Sequence, residues 1–192
     1  MSTLDYYNRH AESFHSETKL LNLNDLYEAF LKHVPAGGAI LDAGCGSGRD
    51  IKYFIEHGYQ ATGFDASTEL CRLASEFTKT PVLNTSFDLI EFDNLFDGIW
   101  ACASLLHLKK VELPSVFKKL ERALKKSGVI YCSFKLGDFE GERNGRYFCD
   151  LTHESLESVL KGTELKVLKH WVTSDVRKGR EDEQWLNAII SK

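Results

Sequence analysis

The stretch that decides the fold is Ala39-Ile-Leu-Asp-Ala-Gly-Cys-Gly-Ser-Gly-Arg-Asp50. An apolar run ends at Asp42, glycines follow at alternate positions 44, 46 and 48, and Ile51, Phe54 and Ile55 then fall at helical spacing. Glycine is required where a backbone turns through positive φ, or where a ligand lies against the main chain with no room for a Cβ. A helix starting directly behind such a turn offers free N–H groups to a carboxylate or hydroxyl. The dinucleotide fingerprint GxGxxG places its third glycine five residues after its first. Here the interval is four, 44 to 48. A second apolar run closes on Gly63-Phe64-Asp65, and a carboxylate at that strand end can accept hydrogen bonds from the vicinal hydroxyls of a ribose.

Working outward, five short apolar runs lack strict alternation, as strands buried on both faces do: Ala39–Ala43, Gln60–Phe64, Pro81–Thr85, Gly98–Ala103 and Gly128–Phe134. Helical stripes lie between them. One ends at Gly58, in the place of a left-handed C′ residue; one starts behind Ser67, an N-cap; one carries Leu113, Phe117, Leu120 and Leu124 between Pro114 and Gly128. Asn24 is expected to cap an earlier helix through Leu26, Tyr27, Phe30 and Leu31, and Thr152 a later one stopped by Gly162. The last two extended stretches, Glu164–Thr173 and Glu183–Ile190, are joined by a turn too short for a crossover helix, so they should be antiparallel neighbours. The pattern predicts a doubly wound, Rossmann-like α/β fold with helices on both faces of the sheet. With no linker, repeat or low-complexity stretch, one domain over residues 1–192 is expected.

The GxGxG loop behind Asp42, the acidic Asp65, the later FDGIW (Phe96–Trp100) and the antiparallel final strand together resemble the class I S-adenosylmethionine-dependent methyltransferases. The closing GREDEQWLNAIISK is similar to small bacterial members that act on small molecules, of the tellurite-resistance type. The resemblance implies a mixed seven-stranded sheet of order 3-2-1-4-5-7-6 with the last strand antiparallel, and S-adenosylmethionine as cofactor. It implies cofactor contacts from Asp42, Gly44, Cys45, Gly46 and Gly48, from Asp65 and Ala66 at the ribose and adenine, from Ser86 and Phe87 at the adenine end, and from Ala101 beside the sulfonium. It implies a helical cap or lid over residues 1–36, with the core in 37–192; Tyr6 and Tyr7 would belong to the lid. His107 is the candidate base by position. Arg143, Arg146 and Tyr147 fall in a Gly-rich segment that reads as a mobile substrate loop, where arginines suit an anionic substrate.

Composition narrows the function classes. A formal net charge of −4 runs against a non-specific nucleic-acid binder, so no nucleic-acid partner is expected. No run approaches the length of a membrane span, which points to a cytoplasmic protein, monomer or homodimer. The five cysteines have no CxxC spacing and the histidines no HxxxH pair, so free buried thiols and no metal are expected. The reading is methyl transfer to a small-molecule nucleophile, a thiol, metalloid oxyanion, amine or hydroxyl. The alternatives are an RNA or protein methyltransferase, and a non-catalytic cofactor-binding module of the same fold.

Overall fold

The computed structural model describes residues 2–192. Strand β1 (Ala39–Ala43) is followed by helix α4 (Arg49–Glu56), β2 (Gln60–Asp65), α5 (Thr68–Thr78), β3 (Leu83–Asn84), β4 (Phe96–Ala101), α6 (Leu113–Ala123) and β5 (Leu124–Lys135). Three helices precede β1: α1 (Thr3–Arg9), α2 (Ala11–Thr18) and α3 (Asn24–Leu31). After β5 come a hairpin, β6 (Glu140–Arg143) and β7 (Arg146–Cys149), then α7 (His153–Val159), β8 (Lys166–Ser174) and β9 (Gln184–Ser191). The seven-stranded sheet has the order β3-β2-β1-β4-β5-β9-β8. Strands β3 to β5 are parallel and β9 is antiparallel to both its neighbours, the arrangement the resemblance implies.

Alternation along each central strand sends neighbouring side chains to opposite layers. Leu41, Ile99 and Ile130 pack with Phe117 and Leu120 of α6 and Leu156 of α7, whereas Ile40, Trp100 and Tyr131 pack with Tyr27 and Phe30 of α3 and Phe54 of α4. The parallel strands therefore read as unbroken apolar runs because both of their faces are covered. Ser67 caps α5 through Leu70 N–H, and Thr152 caps α7 in a reciprocal bond with Ser155, each worth about 1 kcal/mol.

Four expectations are corrected. Asn24 is the first residue of α3 rather than its cap; the cap position is Leu23, and the Asn24 N–H is taken by Asn22 Oδ1 at 2.8 Å. The stretch Pro81–Thr85 yields only a two-residue exposed edge strand, because nothing covers its outer side. Gly128 lies inside β5, since α6 ends at Ala123 and the chain passes straight into the strand. The Gly-rich segment after β5 is an ordered hairpin rather than a loop: Asn144 (φ 53°) and Gly145 (φ 76°) make the two-residue turn whose twist matches its strands.

Candidate cofactor and acceptor site

The carboxyl ends of β1, β2, β4 and β5 open into one cavity of about 790 Å³, within the range of small-molecule clefts. At its centre the glycine loop folds back on β2, with the N–H groups of Gly44 and Cys45 both donating to Phe64 O at 2.9 Å. Gly44 and Gly46 have φ of +76° and +52°. A Cβ on Gly44 would stand 2.6 Å from Ser104 Cβ, and one on Gly46 3.1 Å from the Phe14 ring. Asp65 braces this loop from β2: Oδ2 accepts from Gly46 N–H and Oδ1 from Ser67 N–H, both at 2.9 Å. Burial pushes its carboxyl above the usual range, and these amides oppose the shift.

Beneath the loop lies an ionic cluster. Asp50 receives Arg49 Nε at 2.6 Å, Arg49 Nη2 at 2.8 Å, Trp100 Nε1 at 2.9 Å and the Tyr27 hydroxyl. Burial works to raise the Asp50 carboxyl, but Arg49 and these donors outweigh it and hold it below the ordinary value. Asp42 is buried beside it without a strong partner for Oδ2. Burial first, then the charge of Asp50, drives its carboxyl well above the usual range.

On the far side, the N-terminal helices form a wall. Tyr7 of α1 hydrogen-bonds His107 Nε2 at 2.8 Å, and His107 Nδ1 donates to Tyr147 O at 2.7 Å. Since Nδ1 carries the proton, the Tyr7 hydroxyl is the donor to Nε2. Burial lowers His107 to about 4, so the ring is neutral at pH 7. Tyr147 N–H donates to Thr3 Oγ1 at 2.8 Å, and Asn8 Oδ1 accepts from Ser67 Oγ at 2.8 Å, tying α1 to both β7 and α5. Arg146 lies over the Tyr6 ring at 4.7 Å and reaches the Tyr7 hydroxyl at 3.4 Å. Arg143 pairs with Asp150 at 2.7 Å.

Most of the residues singled out in the sequence meet in this cavity. Gly44, Cys45, Gly46, Asp65, Ala66, Ser86 and Phe87 line one end, and Tyr7, His107, Arg143 and Arg146 the other. Five do not line it. Asp42 is under the loop. Gly48 serves packing, since a Cβ there would meet Thr78 Cγ2 at 2.9 Å and Ala74 at 3.0 Å. Ala101 is fully buried inside β4, and the next residues, Cys102 and Ala103, form the wall instead. Tyr6 packs on Tyr7 and Arg146, and Tyr147 contributes its backbone while its hydroxyl goes to Glu140 at 2.6 Å.

The cavity is also lined by residues that carried no local motif: Phe14, Ser133, Trp185 and, from the turn after β8, Asp175, Arg177 and Arg180. Lys135 pairs with Glu183 and lies 3.8 Å from Asp175, and burial lowers it to about 8. The five cysteines are free, four of them buried; Cys102 is half-buried on the wall, and burial pushes its thiol up to about 12. Among the described residues no helix is long and apolar enough to cross a membrane.

Residues 41–132, from the first strand to the fifth, match the family model described as a methyltransferase domain. This match and the fold together support a class I S-adenosylmethionine-dependent methyltransferase. Over 116 residues it is 34% identical to the Bacillus subtilis (strain 168) protein named "Putative methyltransferase YqeM", a match covering 55% of this chain and 47% of that protein. It is 26% identical over 151 residues to the 2-heptyl-1-hydroxyquinolin-4(1H)-one methyltransferase of Mycobacteroides abscessus, covering 74% of this chain and 63% of that one. The chain thus spans about half to two-thirds of the length of these curated relatives. Among solved structures, the Burkholderia thailandensis 1,6-didemethyltoxoflavin-N1-methyltransferase superposes with a TM-score of 0.77 at 19% identity, over 98% of this chain and 84% of that one.

The family's cofactor is S-adenosylmethionine, and the residues of this site fit it. Two positive-φ glycines leave bare backbone where a Cβ has no room, and Asp65 has lone pairs left after its two backbone bonds, enough to receive two hydroxyls.

Proposed function

We propose that the protein transfers a methyl group from S-adenosylmethionine to a small-molecule nucleophile. The observation that carries this reading is the walled acceptor side of the cavity: α1 and α2 form a wall tied to β7 and α5, which bounds one side of a cleft of small-molecule volume. The two relatives whose names specify a substrate, a hydroxyquinolinone and a toxoflavin precursor, act on small heterocycles, which supports the same class.

In this reading the backbone of Gly44, Cys45 and Gly46 holds the methionine and ribose portions, Asp65 the ribose hydroxyls, and Ala66, Ser86 and Phe87 the adenine. When bound, the cofactor supplies an electrophilic methyl on a sulfonium that is already a good leaving group. The chain's own contribution is position and dehydration, and positioning of this kind is worth roughly 7–11 kcal/mol. Residues 1–36 act as the cap on the 37–192 core. His107 is a positioning residue of that cap, because both its nitrogens are spent on Tyr7 and Tyr147 and neither is free to take a proton.

Calorimetric titration with S-adenosylmethionine, S-adenosylhomocysteine and NAD tests the cofactor, followed by transfer of labelled methyl to small heterocycles, thiols and amines, with total RNA and protein in parallel. Saturable binding of the first two ligands and label in small molecules are expected. Binding of NAD alone, or label entering only RNA or protein, would overturn the reading.

A further inference from the structure

Six arginines and lysines line the cavity, and five have a carboxylate in ion-pair range. Arg49 pairs with Asp50, Arg143 with Asp150, Arg177 with Asp175, Lys135 with Glu183, and Arg180 with Glu183. Of these six, Arg146 alone has no carboxylate in ion-pair range. Its Nε is buried with no acceptor, and its one side-chain hydrogen bond is a long 3.4 Å contact to the Tyr7 hydroxyl. A guanidinium carries five donors, and leaving a charged donor buried and unmet costs more than leaving a neutral one. The charge is held in place all the same, with Tyr6, Tyr7 and Phe148 around it at 4.7, 5.9 and 5.2 Å from their ring centres. A fixed cation with unused donors on a cavity wall is a ready site for a planar oxyanion.

We propose that Arg146 binds an anionic group of the acceptor, so that the acceptor is an organic acid, a carboxylate or an enolate-like oxyanion. The inference rests on the methyltransferase reading only in calling the ligand an acceptor. Arg143, which the sequence pairs with it, is excluded by its bond to Asp150, so the two arginines of the hairpin have different tasks. Because Tyr6 and Tyr7 belong to α1, an anion on Arg146 is also bound against the cap, next to the Tyr7–His107 bond.

The test uses benzoate as probe and benzamide as its neutral isostere, titrated into the full-length protein with and without S-adenosylhomocysteine. Benzoate is expected to bind about tenfold or more tightly than benzamide, a preference that Arg146→Gln abolishes while Arg146→Lys retains part of it. The Nε–Hε resonance of Arg146 in the wild-type protein should shift along the benzoate titration, a readout that stands even if Arg146→Gln misfolds. Equal binding of the two probes, an unmoved Arg146 resonance, or a preference that survives Arg146→Gln would overturn the proposal. Loss of S-adenosylhomocysteine binding with benzoate binding intact would instead count against the methyltransferase reading and leave this one standing.

Discussion

The two ends of the cavity are built on opposite principles. At the glycine loop, consecutive residues do the work. Gly44, Cys45 and Gly46 are held by Phe64 O and Asp65, and both Asp65 oxygens have backbone partners. At the acceptor end, four distant segments contribute: α1, the turn after β4, the β6–β7 hairpin and the β8–β9 turn. Polar atoms are left over there, with Arg146 Nε and Asp150 Oδ1 both buried and unpartnered. Backbone amides on both Asp65 oxygens brace one end as a rigid receptor for an invariant ligand. Unspent donors and acceptors at the other make it the end where the ligand completes the structure.

The sharpest way to break this contrast is through Asp50, which anchors the loop's floor. Asp50→Ala leaves Arg49 as an uncompensated buried charge and strips Tyr27 and Trp100 of their acceptor, so a loss of about 3–5 kcal/mol in urea unfolding is expected. A loss below 1 kcal/mol would show that the floor does not support the loop.

The next effect should come from pH. His107 is lowered to about 4 from an ordinary 6.5, so its folded-state contribution is complete above pH 6.5 and lost as pH falls towards 4. The depression corresponds to about 3 kcal/mol. Thermal midpoints measured from pH 7.5 to 4 should fall over that window, and should fall less in His107→Gln, which keeps a polar side chain without the titration. Parallel curves for the two proteins would remove His107 from the acid response.

Asp65→Ala is expected to weaken S-adenosylhomocysteine binding by about 1.5–3 kcal/mol for each charge-assisted hydrogen bond lost, read by calorimetry. Binding of the Arg146 probe should be almost unchanged, which would separate the two ends. The smallest change should follow Asp42→Asn. Because burial and the charge of Asp50 both favour the neutral form of Asp42, an amide of the same shape should leave stability within about 1 kcal/mol and cofactor affinity within threefold. A large loss would mean that Asp42 is charged in the folded protein.

Little of the acceptor end was readable in advance. The proposed cofactor contacts fall within Gly44 to Gly46 and at Asp65, close in sequence and marked by residue types that few other purposes require. Asp42 and Gly48 belong to the same motif yet do not line the cavity, since a spacing pattern does not distinguish a residue that touches ligand from one that lets the loop pack. The hairpin did have a signal, Asn144-Gly145 between alternating strands, but the nearby Gly137 and Gly141 masked it as a loop.

Sequence by itself determined the fold class, the sheet order through the family resemblance, and the loop with its acidic partner. Each depends on local spacing: apolar runs, glycines that relieve Cβ crowding, a carboxylate at a strand end. Only the tertiary structure decided which of two neighbouring arginines lacks a carboxylate, that the Asp42 carboxyl is raised while that of Asp50 is lowered, and that both His107 nitrogens are taken by Tyr7 and Tyr147. These are properties of pairing and burial among residues up to 144 positions apart, such as Thr3 with Tyr147. A charge is neutralised or left unspent by what folding brings beside it, and that neighbour is not written in the residue's own surroundings along the chain.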